Sequence, residues 1–289
     1  MPAGTPDAAP PAGYLAAIRS READLTASEA KVAQTVLDHP GEVIRMSITE
    51  LAERAEVGVA TVSRFCQRLG LRGFHELKIE IAHELVPGTV TTTPLVAAGG
   101  DYPTWAGSAA GRTIAMIETT MRQFDADAFR QAVDLLVKAR RIDFYGLASS
   151  GLTAMDAQLR FLTLGKTCNA YVDSHVQAMA AAVLGPEDVA VAISYSGSTK
   201  DMVANLSTAR KRRARTIAIT GAPRSPLAEI ADVVLVAGSD ETMLVSNLFN
   251  KIGQLFVVEL LVEGCAREMG QQAHRTSKLI SEAVADKIY

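Results

Sequence analysis

The sequence predicts an all-α helix-turn-helix domain followed by a larger α/β domain with a doubly wound, parallel five-stranded sheet of the flavodoxin-like type. Residues 14–86 show only the helical repeat of apolar residues, whereas from residue 142 onward short β-branched runs alternate with helical stretches. The 289 residues are 48% hydrophobic, which is enough to give each domain a packed core.

Composition narrows the class of protein. The formal net charge of -3 argues against a globally basic nucleic-acid binder, although it allows a local basic face. The cysteines Cys66, Cys168 and Cys265 lie far apart within apolar patterns, which is typical of core residues in a reducing compartment. No apolar run approaches the roughly 18 residues that span a membrane, and the N-terminus lacks a signal pattern. We therefore expect a cytoplasmic protein with no metal, cofactor or membrane contact.

The helical domain carries three helix signals. Thr26 to Glu29 and Ser47 to Glu50 have the spacing of a capping box, which marks the start of a helix. A third short helix is predicted from about Ala60 to Leu69, after a turn that contains Gly58. Two short helices joined by such a turn form a helix-turn-helix.

The third helix is predicted to have one buried and one polar face. Its apolar residues have the spacing that buries them together: Val62, Phe65, Cys66 and Leu69. The opposite face offers side chains that bond phosphates or base edges: Thr61, Ser63, Arg64, Gln67 and Arg68. Lys78 adds a cation further along the chain. We predict a DNA-binding surface; the alternative is a helical dimerisation domain whose arginines are only solvated.

The larger domain follows a linker that is recognised by its composition. Two helices, from about Gly107 to Phe124 and from about Ala126 to Ala139, precede the sheet. The predicted strands are Ile142 to Leu147, Thr167 to Val172, Val189 to Ser194, Thr216 to Thr220 and Val233 to Ala237. The helices between them are predicted near 151–164, 175–184 and 200–213. A final long amphipathic helix is predicted over roughly Ser246 to Met269, and this helix and the one that begins near Gly107 are the candidate subunit contacts.

Two strands end in loops that are rich in hydroxyl groups. The first loop, residues 147–150, ends in Ser149 and Ser150, and the second loop, residues 194–199, contains Ser194, Ser196, Gly197, Ser198 and Thr199. In the order 2-1-3-4-5, strands one and three are neighbours, so both loops line one crevice at the switch point. Free N–H groups and hydroxyls suit a phosphate there, although the hydroxyls could instead only cap the helices. A dinucleotide site fits less well, because Ala148 stands where close approach needs glycine.

The helical domain resembles the N-terminal domain of RpiR-type transcription regulators. The resemblance rests on Ser47-Ile48, Leu51-Ala52, Val57, Ala60-Thr61-Val62, Arg64-Phe65-Cys66, Leu69-Gly70, Gly73-Phe74 and Leu77-Lys78. Gly58 departs from it, since the family usually has serine before the recognition helix, but glycine is an acceptable N-cap.

The sheet domain resembles the phosphosugar-binding SIS (sugar isomerase) domain of the same regulators. The two loops match, as do Asp173-x-His175-x-Gln177 and the segment from Thr220 to Asp232, whereas Ala148 is a small departure. The resemblance implies a regulator whose first and second loops, with His175, hold a phosphorylated sugar or sugar acid. Operators with two half-sites imply a homo-oligomer, at least a dimer. The alternative is a sugar-phosphate isomerase in which Glu241 or Glu259 would be the acid or base.

The predicted boundaries are a disordered tail at 1–13, a helix-turn-helix DNA-binding domain at 14–86, a linker at 87–105 and a SIS domain at 106–289.

Overall fold

The computed structural model describes residues 13–21, 24–44, 46–85, 101–238 and 247–285. The chain divides near Gly107 into two compact units. Residues 1–12 of the predicted tail and residues 87–100 of the predicted linker lie outside the described residues.

The N-terminal unit is helical throughout its described part. Its helices are α1 (Tyr14–Ser20), α2 (Ala27–Asp38), α3 (Pro40–Val43), α4 (Ile48–Arg54), α5 (Val59–Arg68) and α6 (Phe74–Leu85). Both predicted capping boxes form, at Thr26 with Glu29 and at Ser47 with Glu50. The apolar residues of α5 enter a single core with those of α2, α4 and α6, which is why these short helices are stable together.

The C-terminal unit is an α/β fold. Its helices are α7 (Tyr102–Arg122), α8 (Ala126–Lys138), α9 (Ser149–Thr163), α10 (Ser174–Ala182), α11 (Lys200–Lys211), α12 (Pro226–Ile230), α13 (Asn247–Met269) and α14 (Gln271–Val284). Its strands are β1 (Arg141–Gly146), β2 (Cys168–Tyr171), β3 (Asp188–Ile193), β4 (Arg215–Thr220) and β5 (Val233–Val236). The strands are parallel in the order β2-β1-β3-β4-β5, so the predicted doubly wound sheet is confirmed.

Alternate strand residues serve two separate cores, one on each side of the sheet. Phe144 and Val191 face a core shared with α8, α9 and α13. Tyr145 and Ala192 face the other core, shared with α10, α11 and α12. Strand β3 is buried at every position, which explains why its sequence has apolar residues on both faces.

Three helices of the sheet domain differ from the sequence prediction, which contains no counterpart of the short α12. Helix α7 begins at Tyr102 instead of near Gly107, because the carboxylate of Asp101 accepts a hydrogen bond from the Thr104 backbone N–H at 3.0 Å and so stabilises the first turn. The helix that ends at Met269 is not the last one, since α14 follows it after Gly270, whose φ of 54° allows the sharp change of direction. Helix α14 was not predicted because its sequence is mostly polar and Ala273 is its only buried residue.

Candidate functional site

The first and second loops leave the sheet side by side. Gly146 at the end of β1 and Ile193 at the end of β3 are paired in register, and each loop begins with the next residue. The two neighbouring strands are the ones that lie on either side of the point where the chain reverses its direction across the sheet. The loops therefore open at the same edge, as the sequence predicts.

The helices that follow the strands differ in how they are capped. Helices α10 and α12 are capped by side chains, because Asp173 accepts from His175 and Val176, and Ser225 accepts from Ala228. Helices α9 and α11, which follow the first and second loops, have no side-chain cap at Ala148 or Thr199. The hydroxyls of these loops are thus not ordinary caps. The N–H groups of Ser150 and Gly151 donate to the carbonyls of Leu147 and Ala148, so an anion would meet the Ser149 N–H of α9 and the first N–H groups of α11.

The second loop is a tight turn built around Gly197. Ser196 Oγ accepts from the Ser198 backbone N–H at 3.3 Å, and Ser198 Oγ donates to the Ser196 carbonyl at 3.1 Å. Gly197 has a φ of 59°, and a Cβ at this position would lie 2.0 Å from Ser225 Oγ. Only glycine fits here. Ser194 is buried at the base of the loop, whereas Thr199 is exposed at its end.

The first loop turns from strand to helix within three residues. A Cβ at Gly146 would lie 2.4 Å from the Ser150 carbonyl oxygen, so the helix starts directly against the end of the strand. Ala148 accommodates this turn with φ 50° and ψ -124°, a conformation that normally requires glycine. Ser149 is half-buried, and Ser150 is buried with its Oγ accepting from Gln254 Nε2 at 3.1 Å.

Two buried amide side chains connect the loops to neighbouring helices. Gln254 of α13 bonds Ser150 and also accepts from Thr153 Oγ1 at 3.3 Å. Gln177 of α10 donates to the carbonyls of Gly146 and Tyr171, at 3.1 and 2.8 Å, and so joins the ends of β1 and β2. Sequence reasoning missed the role of Gln254. The sequence feature that could have indicated this role is a single glutamine among the apolar residues of a long helix.

The remaining residues considered for this site are His175, Glu259 and Glu241. His175 is exposed in the first turn of α10, and no hydrogen bond among the described residues joins its imidazole to either loop. The carboxylate of Glu259 pairs with Arg160, about three helical turns along α9 from Ser149. Glu241 lies outside the described residues.

The predicted DNA surface centres on α5. Arg64 and Gln67 are exposed and Ser63 is half-buried, so these three residues lie on the outward face as predicted. Gly58 is the N-cap and provides no side-chain hydrogen bond, which leaves the N–H groups of Val59 and Ala60 open to a phosphate, whereas the Thr61 N–H donates to the Gly58 carbonyl. In the described part of the chain Arg64 bonds only the Thr61 hydroxyl, at 3.2 Å, and pairs with no carboxylate.

The structure corrects the placement of Thr61. Its exposure is 8%, because it lies one turn before Phe65 and shares the buried side of α5. The helix is flanked by both α2 and α4, so its outward face is narrower than the sequence suggests.

The structure also corrects the placement of Lys78. Two neighbouring arginines, Arg68 and Arg72, already form hydrogen bonds or ion pairs within the helical domain. The Lys78 ammonium donates to the Met46 carbonyl at 2.9 Å, and burial lowers its pKa to about 8. Arg68 donates to the Asp24 carbonyl at 2.6 Å and lies 3.3 Å from the buried Glu29 carboxylate, while Arg72 pairs with Glu76. Arg64 is therefore the cation of α5 that is best placed to meet DNA.

Comparison with known proteins identifies relatives of both units. Residues 12–88 match the model of the helix-turn-helix domain of the rpiR family, and residues 135–264 match that of the SIS domain. The chain is 38% identical to an uncharacterized HTH-type transcriptional regulator of Caldanaerobacter subterraneus subsp. tengcongensis, over 86% of this chain and 88% of that protein. It is 33% identical to the HTH-type transcriptional regulator HexR of Pseudomonas aeruginosa, over 95% of this chain and 96% of that protein.

A solved structure has a similar fold over nearly the full length. The NanR protein of Vibrio vulnificus, solved in complex with ManNAc-6P, superposes with a TM-score of 0.79 and 24% identity, covering 95% of this chain and 98% of that one. No helix within the described ranges is both long and apolar enough to cross a membrane.

Proposed function

We propose a function from one premise: the chain belongs to the rpiR family of helix-turn-helix transcriptional regulators and carries a SIS domain. Its helix-turn-helix binds an operator, and a phosphorylated sugar or sugar acid bound by the SIS domain changes that binding. The observation that carries the second half is the pair of uncapped helix starts after β1 and β3. A phosphate placed between them would accept from the Ser149 N–H and from the first N–H groups of α11, and it would meet both helix dipoles at their positive ends.

The proposed ligand residues are those of the first and second loops. The hydroxyls of Ser149, Ser150, Ser194, Ser196, Ser198 and Thr199 and the backbone of Gly197 would bond the phosphate, and His175 would reach a sugar hydroxyl. The structure of NanR with ManNAc-6P is consistent with a phosphosugar as the class of ligand for this fold.

The DNA-binding residues in this proposal are Ser63, Arg64 and Gln67, with Arg68 as a phosphate contact. Thr61 and Lys78 are left out, because the first is buried and the second donates to Met46. Ser63, Arg64 and Gln67 follow one another along the outward face of α5, so a major groove that receives this helix would meet them together.

The protein acts in this proposal as a sensor and not as an enzyme. The second loop supplies hydroxyls and a glycine, and Asp173, which follows β2, caps α10. Glu259, the described carboxylate considered as an acid or base, is paired with Arg160. We further propose that the regulator works in the cytoplasm as a homo-oligomer, with a DNA-binding domain at 14–86 and a sensor domain at 106–289.

The test is a titration of sugar phosphates into a complex of the protein with its operator. Ser196→Ala removes a hydroxyl that would donate to the charged phosphate, a bond worth about 1.5 to 3 kcal/mol, so the midpoint should shift ten- to a hundredfold. Operator affinity without ligand should stay the same, since Ser196 is not on α5. Ser277→Ala, an exposed serine of α14, is the matched control.

Equal midpoints for Ser196→Ala and the wild type would contradict the proposed sensing site. A second measurement addresses enzyme activity: the protein is incubated with aldose and ketose phosphates, and the products are analysed. Interconversion that persists after repurification would identify an isomerase.

A further inference from the structure

A run of positive charge stands where helix α11 ends and strand β4 begins. Residues 210–215, which we call the basic run, contain five exposed cations: Arg210, Lys211, Arg212, Arg213 and Arg215. The run lies at the edge of the sheet where the parallel strands start, because Arg215 is the first residue of β4. The loops of the proposed phosphate site open at the opposite edge, where β1 and β3 end. The basic run is therefore not part of that site.

The dipole of α11 accounts for only part of this charge. Cations are favoured in the last turn of a helix, and the effect falls off within that turn. Arg210 and Lys211 lie in the last turn of α11, but Arg213 and Arg215 lie beyond the helix. Like charges at neighbouring positions also repel one another. The end of the helix therefore does not explain why the charge continues into β4.

The charge of the basic run is not neutralised inside the described part of the chain. There, none of its five cationic side chains forms an ion pair or a hydrogen bond. The acidic residues at the starts of the two strands that flank β4 are bonded elsewhere. Asp188 of β3 accepts from the Arg140 guanidinium at 2.8 Å, and Asp232, just before β5, accepts from the Thr216 backbone N–H at 2.8 Å. The cations are thus available to an anionic partner.

The backbone at Arg213 is strained for a residue with a side chain. Its φ is 66°, in the left-handed region. The Arg213 N–H donates to the Arg210 carbonyl at 2.9 Å and the Ala214 N–H to the Ala209 carbonyl at 3.1 Å, a helix ending in which glycine normally occupies the position of Arg213. Stability alone favours glycine there. An unpaired cation in its place indicates that the charge serves a purpose other than folding.

The composition of the basic run fits the phosphate backbone of DNA. Four of its five cations are arginines, whose planar guanidinium binds phosphate oxygens in a bidentate manner. Its only apolar residue, Ala214, is buried, so the run offers no apolar anchor for a lipid surface or for a protein interface. A DNA backbone needs no such anchor, because its affinity for a protein comes from charge and the release of counterions.

We propose that the basic run binds the phosphate backbone of double-stranded DNA, in addition to the contact made by α5. The inference rests on the proposed function and extends DNA binding to a second surface, in the sheet domain. Phosphate contacts carry no direct sequence information. The basic run should therefore raise the affinity for the operator and for other DNA by the same factor, whereas Arg64 should affect mainly the operator.

The experiment measures the affinity of the full-length protein for a mixed-sequence duplex of about 30 base pairs, roughly three helical turns, over a series of salt concentrations. Each phosphate contact that is lost lowers the slope of log affinity against log salt by about 0.9. The double variant Arg212→Gln, Arg213→Gln should therefore reduce the slope by at least about 1 and bind about tenfold more weakly at low salt. The matched control Arg130→Gln, Lys138→Gln removes two exposed cations of α8 and should keep the wild-type slope.

A second variant separates loss of charge from loss of stability. Arg213→Gly removes one cation and introduces the residue that adopts this φ without strain, so it should unfold at no lower temperature than the wild type and still show a smaller salt dependence. An unchanged slope in this variant and in the double variant would overturn the proposal. Binding to vesicles of anionic lipid that the double variant loses, with its slope on DNA unchanged, would overturn it as well and assign the basic run to a membrane surface.

Failure of this inference is distinguishable from failure of the proposed function. The same variants are compared on an operator selected from random-sequence DNA. A wild type that binds neither this operator nor the mixed-sequence duplex would refute both proposals. Operator binding that Arg64→Ala weakens, together with a wild-type salt dependence in the double variant, would leave the proposed function standing and refute only the second surface.

Discussion

Gln254 of α13 donates a hydrogen bond from its Nε2 to the Oγ of Ser150, at 3.1 Å, across 104 positions of the sequence. Both side chains are buried, and Gln254 Oε1 accepts from Thr153 in the same network. Because Ser150 Oγ already accepts this bond, its own hydrogen remains to be donated elsewhere, and the open start of α9 is where a phosphate oxygen would receive it. Helix α13 thereby orients a hydroxyl of the first loop.

We expect Gln254→Met to weaken sugar-phosphate binding about tenfold and to lower the free energy of unfolding by about 1 to 3 kcal/mol. Methionine has a similar volume but leaves two buried hydroxyls without their partner. Isothermal titration with a sugar phosphate and denaturant unfolding check the two effects. Thr153→Val is the control, because it removes one bond to Gln254 and keeps the bond to Ser150. An unchanged ligand affinity in Gln254→Met would show that the network is only structural.

Arg64→Ala should cost about 1 to 3 kcal/mol of operator affinity, since in the described structure this cation faces outward from α5 and has no carboxylate partner. The measurement is a binding titration at one fixed salt concentration. Arg72→Ala is the matched control: Arg72 is more exposed, but it is paired with Glu76. Equal losses for the two variants would indicate a general charge effect instead of a specific contact by α5.

Lys78 should make stability depend on pH in the alkaline range. Its pKa is about 8 in the folded protein because of burial, and about 10.4 in the unfolded chain. Between these values the unfolded chain binds more protons, so the free energy of unfolding rises with pH, by about 3 kcal/mol in total. Lys78→Met should remove this rise, whereas Lys31→Met, at an exposed lysine, should not. The free energy of unfolding is measured by denaturant at pH 7.5 and 10.5 for each variant. An equal change with pH in Lys78→Met and the wild type would show that the pKa of Lys78 is not lowered by folding.

Ala148→Gly should stabilise the protein by about 1 kcal/mol, because the backbone at this position has the positive φ that glycine adopts without strain. Ala178→Gly, at an exposed helical position of α10, provides the opposite control and should destabilise by about 1 kcal/mol. Thermal unfolding of both variants tests the pair. Destabilisation by both would mean that the turn at Ala148 is unstrained.

Local features of the fold were readable from the sequence. The bounds of the five strands were predicted to within one residue, because buried β-branched runs end where glycine and hydroxyl residues begin. The capping boxes at Thr26 and Ser47 were predicted as well, since each depends on residues three positions apart. The alternation of strands and helices predicted a parallel, doubly wound sheet, and the flavodoxin-like strand order that was assumed for it is the observed one, so the first and second loops meet.

What the sequence determined by itself was therefore each element and the chemistry at its end, since both are encoded by residues close together in the chain. Only the tertiary structure decided which of those groups stay accessible and which are buried or bonded within the protein. It buried Thr61 between neighbouring helices, turned Lys78 to the Met46 carbonyl and brought Gln254 to Ser150. These outcomes depend on how whole elements pack at long sequence separation, and no periodicity or spacing within one element records that packing.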